Sequence, residues 1–177
     1  MGQRIFLALR SIVYIGGFAW LWLWLMPQWL GIRSSTSLPP QSPARWWGLG
    51  PIVLGGVLAV NCFARFFFVG KGTPAPFDAP QHLVIIGPYR YVRNPMYLGA
   101  GLVLAGCAIL FAEFSLVLIG YAVAIILLVN LFILLYEEPT LRRRFGADYD
   151  EYRKNVRRWI PRARPWEPAQ QQAMSAR

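Results

Sequence analysis

Four apolar runs constrain this chain more than anything else in it: Ser11 to Leu30, Trp47 to Val69, Met96 to Ala112 and Ser115 to Tyr136. A hydrocarbon core of roughly 30 Å takes about 20 residues of α-helix at a rise of about 1.5 Å per residue. Inside hydrocarbon each backbone N–H and C=O has to be paired within the chain, so runs of this kind are predicted to be helices. The third run is short and glycine-rich, and Ala112-Glu113-Phe114-Ser115 leaves room only for a tight helical hairpin. The 177 residues are 56% hydrophobic and still carry a net charge of +10. The expected fold is therefore an all-α membrane protein with about four transmembrane helices, basic rims and a C-terminal amphipathic cytosolic helix. Three parts are expected: a two-helix membrane anchor over residues 1–70, a functional core over 71–168 and a disordered tail over 169–177.

Sixteen of the 18 lysines and arginines fall before the first run, around the loop after the second, or after Glu138; only Arg33 and Arg45 lie in the first loop. The positive-inside bias then puts the N-terminus, the second loop and the tail in the cytosol. The first run is too long and too rich in Trp (Trp20, Trp22, Trp24, Trp29) for a signal peptide and lacks a small-x-small cleavage site, so it is read as a retained anchor. Met1-Gly2 begins like a myristoylation signal, but Phe6 stands where Ser or Thr is needed. Cys62 and Cys107 sit inside apolar runs and imply neither a disulfide framework nor a metal site.

Small residues recur in the runs, among them Gly16, Gly17, Gly55, Gly56, and Gly101 with Ala105, and are read as points of close helix approach. Residues 34–43 form a turn-rich connector, and residues 70–80, with prolines at 74, 76 and 80, are predicted to be extended and irregular. The continuation Gln81 to Pro88 has to pack under something or line a cavity. Pro139 suits the first turn of a new helix, and Leu141, Phe145, Tyr149, Tyr152 and Val156 follow at helical spacing. Beyond it, Trp159 and Trp166 are interleaved with arginines, as in a segment lying on anionic headgroups. A basic tail also suits nucleic acid, but one that follows a cytoplasmic span makes the bilayer the expected partner.

Polar chemistry is concentrated in two places, the turn-forming stretch Gly87 to Gly99 and the doublet Glu137-Glu138. The doublet ends the fourth run, where unpaired helix carbonyls already make the potential negative, so a cation has to answer it. Either Arg93, Arg142 or Arg143 supplies that cation or a ligand does. Asn94-Pro95 can be a simple helix start, and Tyr89, Tyr91 and Tyr97 simple interfacial aromatics; their crowding in one stretch favours a pocket. His82 is the only histidine and is read as structural. No Ser-His-Asp set, phosphate loop or cluster of metal ligands is present in the pattern, so any chemistry belongs to a bound cofactor.

Gln81 to Gly99, together with Tyr136-Glu137-Glu138-Pro139, Phe145-Gly146-Ala147-Asp148-Tyr149 and Tyr152 followed by Val156-Arg157-Arg158-Trp159-Ile160-Pro161, resembles the isoprenylcysteine carboxyl methyltransferase and phospholipid methyltransferase superfamily of integral membrane enzymes. The resemblance covers about the last hundred residues. It implies that S-adenosylmethionine (S-adenosyl-L-methionine) enters from the cytosol and meets Gln81, His82, Leu83, Val84, Tyr89, Asn94, Pro95, Met96, Tyr97, Glu137 and Glu138. Arg93, Asn94 and Glu137 would act in catalysis, the methyl group passing to a lipid or other hydrophobic or amphiphilic acceptor. It also implies a bacterial cytoplasmic membrane as the location. Similar enzymes often carry histidine where Asn94 stands, and Asn cannot titrate near neutrality. Those acting on prenylated cysteine use an arginine at the position of Ile133, which argues against that substrate. Two other readings stay open here: an NADPH-dependent sterol-type reductase on the same scaffold, and a non-catalytic lipid-binding or assembly protein.

Overall fold

The computed structural model describes residues 13, 16–17, 20–31, 42–70, 82–111 and 116–168, and among them every regular element is helical. A π-helical turn, Leu21–Leu25, runs into the short α1 (Met26–Trp29). A 3-10 turn, Pro43–Gly48, leads into α2 (Leu49–Arg65), which ends in a second π turn, Phe66–Gly70. After an irregular segment and the 3-10 turn Gly87–Arg90 come α3 (Pro95–Phe111) and α4 (Leu116–Phe132). A third π turn, Ile133–Glu137, joins α4 to α5 (Glu138–Asn155).

Among the described residues, two helices are long and apolar enough to cross a membrane, Pro43–Arg65 and the run beginning at Leu116; α3 is apolar but shorter. Residues 11–12, 14–15 and 18–19 of the first apolar run, like the Ala112 to Ser115 connection, lie outside the described residues. Along α4, Leu116, Val117, Ile119, Val123, Ile126, Leu127, Leu128 and Leu131 are all exposed. A helix apolar on every side is stable only inside a core or in hydrocarbon, and with these side chains uncovered the solvent has to be lipid. The apolar stretch closes at Tyr136, and Glu137 and the residues after it lie past its end.

The chain divides into two compact units, one formed by Met1–Gly56 with Ala100–Phe132, the other by Val57–Gly99 with Ile133–Arg177. In the first unit, Gly106 meets Gly48 so closely that a Cβ on Gly106 would stand 2.5 Å from the Gly48 carbonyl oxygen. No close helix approach is seen at Gly101 with Ala105: both residues are exposed, and nothing comes within 4 Å of a Cβ added at Gly101. Gly106 is one residue further along, a turn of roughly 100° about the helix axis, so the small-residue spacing was read on the wrong face. Tyr121 donates a hydrogen bond to the Trp22 carbonyl and packs with Trp22, Met26 and Ala108.

The second unit is built around residues 83–86, which have no helical structure. Val84 and Ile86 pack on Cys62, Tyr89, Phe66 and Met96, whereas Leu83 and Ile85 pack on Tyr149, Tyr152 and Val156. Successive side chains of extended backbone point to opposite faces, so four apolar residues in a row tie two clusters together. The chain then turns at Gly87, whose φ of +56° suits glycine.

As expected, Pro139 lies in the first turn of α5, and Leu141, Phe145, Tyr149, Tyr152 and Val156 share one cluster. The helix is not continuous, however: Gly146 has φ 52° and ψ −124° and breaks it. Beyond Val156 the tail does not simply spread outward. It returns along the 90–93 loop, with N–H to carbonyl bonds of 2.9 Å from Arg93 to Arg157, from Arg162 to Tyr91 and from Trp166 to Arg90. Arg90 adds side-chain bonds to the Trp166 carbonyl and to Glu167.

Candidate active site

The site belongs to the second unit. Asn94 immediately precedes α3, its carbonyl accepting the Leu98 N–H at 3.2 Å, and it is buried. Arg93 is held at its backbone by Arg157 and at its side chain by Glu138, Nη1 lying 2.8 Å from Glu138 Oε1. Two polar atoms here are buried without a hydrogen-bond partner, Arg93 Nε and Asn94 Nδ2.

Neighbouring residues in a helix project about 100° apart, and the π turn ends between the two acids. Glu138 points into a cage of arginine. Arg158 donates from Nε to Oε1 and from Nη2 to Oε2, both at 2.9 Å, and Arg93 shares Oε1. Glu137 turns elsewhere and accepts a hydrogen bond on Oε2 from the Tyr97 hydroxyl at 2.9 Å. Among the described residues no cation pairs with it. Burial therefore raises its carboxyl above the ordinary value of 4.5; the Tyr97 bond opposes this and the charge of Glu138 adds to it. Tyr149, near Arg93, is pushed up to about 12, by burial first and then by Glu138, with Arg93 opposing.

Arg93, Asn94 and Glu137 open on a recess of about 40 Å³. Its apolar wall comes from Phe66, Leu83, Val84 and Leu141, and its aromatic wall from Tyr89, Tyr149 and Tyr152. Phe66 and Tyr89 meet edge to face, with centroids 5.4 Å apart.

Of the residues expected to form the site, Leu83, Val84, Tyr89, Arg93, Asn94 and Glu137 are brought together. Tyr97 acts one bond behind, through Glu137. The other expected residues are not among its described lining. Glu138 has both oxygens occupied by guanidinium groups. Pro95 is fully buried and Met96 packs on the Cys62 cluster, so neither lines the recess. His82 is exposed and away from it. Gln81 lies outside the described residues. Of the arginines expected to answer the doublet, only Arg93 does so: Arg142 pairs with Asp150, and Arg143 bonds Thr140. Arg158, which was not among the partners expected for the doublet, supplies the second cation. Tyr149 and Tyr152 were visible as a helix face, but not as walls of the recess.

Two helices long and apolar enough to cross a membrane, with α4 largely exposed along its apolar length, fit a membrane protein, and a buried acid and unpaired donors gather in its second unit. The family model for phospholipid methyltransferases matches residues 43–148, well over half of the sequence, and the chain belongs to that family. It is accordingly a membrane methyltransferase. No curated protein and no solved structure matches the chain.

Proposed function

We propose that the protein moves a methyl group from S-adenosylmethionine to a lipid headgroup or other amphiphile that reaches the recess from the bilayer. The observation that carries this reading is the complementarity of the recess to an amino-acid zwitterion. Two buried donors without partners, Arg93 Nε and Asn94 Nδ2, belong to residues that line the recess together with Glu137, which pairs with no cation among the described residues. Leaving a buried donor unpaired costs about 1–3 kcal/mol, and a buried unpaired charge costs more. A wall that keeps both fits a ligand bearing a carboxylate beside a cation.

The methionine end of S-adenosylmethionine is such a group, and the residues fit it. Arg93 and Asn94 would hold its carboxylate, Glu137 its ammonium, and Tyr89 and Tyr149 would shield the pair from water. When bound, the cofactor supplies a methyl group already activated by the sulfonium charge. The chain then has to align the acceptor and exclude water, which can provide several kcal/mol without a strong base. Tyr97 fixes one orientation of the Glu137 carboxylate.

We read all four apolar runs as membrane-spanning and the site as cytosolic, as the distribution of basic residues favours. Ile133, where the resemblance places arginine in enzymes acting on prenylated cysteine, is only 1% exposed and packs in the interior, which favours another acceptor.

The test uses purified protein in detergent, with thermal unfolding followed during titration with S-adenosylmethionine, S-adenosylhomocysteine or NADPH. The adenosyl compounds should raise the midpoint and NADPH should not, since a ligand that binds only the native state stabilises it. Labelled methyl should then appear in a membrane lipid extract. If neither adenosyl compound shifts the midpoint, the reading is wrong.

A further inference from the structure

We infer that Arg158 is a positioning residue: it fixes Arg93 so that Nε stays available to the recess, and thereby sets affinity for the carboxylate end of the methyl donor. The inference rests on the reading that this end of the donor occupies the recess. Arg158 lies beyond residue 148, where the family match stops.

Glu138 has two oxygens to offer, and Arg158 takes both in a fork. Arg93 is left one end-on bond to this carboxylate, through Nη1 to Oε1, and Nη1 also donates to the Tyr149 hydroxyl at 3.5 Å. A guanidinium that forks a carboxylate through Nε commits that nitrogen; Arg93, denied the fork, keeps its Nε uncommitted and buried. Arg158 is itself held to the site, because its neighbour Arg157 accepts the Arg93 backbone N–H at 2.9 Å. The side chains of Arg93 and Glu138 are each 10% exposed and that of Arg158 24%, so solvent does little to screen the arrangement.

Removing the fork changes what Arg93 does. With Arg158 gone, Glu138 Oε2 is open, and one guanidinium faces two adjacent carboxylates. Arg93 then turns to fork Glu138, and its Nε is committed to that carboxylate. Lysine at 158 restores the charge but not the planar fork, and should correct the defect only in part.

The experiment is calorimetric titration of the full-length protein in detergent with two probes. S-adenosylhomocysteine carries the amino-acid end, and 5′-methylthioadenosine lacks it. In Arg158→Gln the Kd for S-adenosylhomocysteine should rise about tenfold, the equivalent of one charge-assisted hydrogen bond, while that for 5′-methylthioadenosine stays unchanged. Arg158→Lys should fall between Arg158→Gln and the wild type. The inference is overturned if S-adenosylhomocysteine binding is unchanged, or if both probes weaken equally, which would mean general damage to the fold. Should Arg158→Gln fail to fold, the lysine variant carries the same comparison between probes. A wild-type protein that binds neither probe removes the donor reading as well, whereas a wild type that binds S-adenosylhomocysteine no better than the variants removes only the role of Arg158.

Discussion

The Tyr152 hydroxyl donates to the backbone carbonyl of Tyr89 at 2.7 Å, and both residues are buried. This bond joins α5 to the 3-10 turn that begins the site loop. Tyr152→Phe keeps the ring and strands the carbonyl. The expected loss is about 1–2 kcal/mol of stability, read as a lower unfolding midpoint, together with weaker donor binding because Tyr89 lines the recess.

Glycine substitutions separate close approach from spacing. Gly106→Ala drives a methyl group against the Gly48 carbonyl and should lower the midpoint measurably, whereas Gly101→Ala meets nothing and should leave it unchanged. Equal effects at the two positions would refute the helix face assigned here.

Gly146→Ala tests the break in α5. The surroundings are open, so any cost comes from the backbone alone, at φ 52° and ψ −124°. About 1–3 kcal/mol is expected for an L-residue forced into such a conformation. A neutral result in thermal unfolding would mean that α5 straightens without penalty.

The carboxyl of Glu137 is raised in the native state, so the stability it contributes is fully present below its ordinary value of 4.5 and is lost as pH rises through the raised native value. Glu137→Gln removes that loss. The variant should be at least as stable as the parent at neutral pH, with a flatter stability profile above pH 4.5, and should bind S-adenosylhomocysteine poorly. Binding that survives intact would take Glu137 out of the site.

Asn94→Asp replaces an unpartnered donor with an anion beside Glu137. S-adenosylhomocysteine should lose about tenfold or more in affinity, since a like charge now faces its carboxylate. Titration calorimetry at neutral pH decides the point.

Much of this architecture was legible before any coordinates. The second and fourth apolar runs, the helix start at Pro139 and the apolar face of α5 follow from hydropathy and 3.6-residue spacing. Tyr89, Arg93, Asn94 and Glu137 stood out because polar and turn-forming residues were crowded between greasy segments, whereas Leu83 and Val84 came only from the resemblance. What escaped notice depends on geometry that local patterns do not encode. The π turn at Ile133–Glu137 and the break at Gly146 alter helical phase without changing composition. Glu138 looked equivalent to Glu137 because adjacency in sequence hides the rotation between them. Arg158 pairs with a residue 20 positions earlier, across a tail that doubles back, and charge alone does not reveal such a partner.

The alternating segment from Leu83 to Ile86 has a consequence for how this protein can change over time. Exchanging one aliphatic residue for another there keeps both clusters filled, so such replacements should accumulate freely. Adding or deleting a single residue instead sends each later side chain to the opposite cluster and moves the Gly87 turn off its mark. Drift at this place is thus permitted in spelling but not in length.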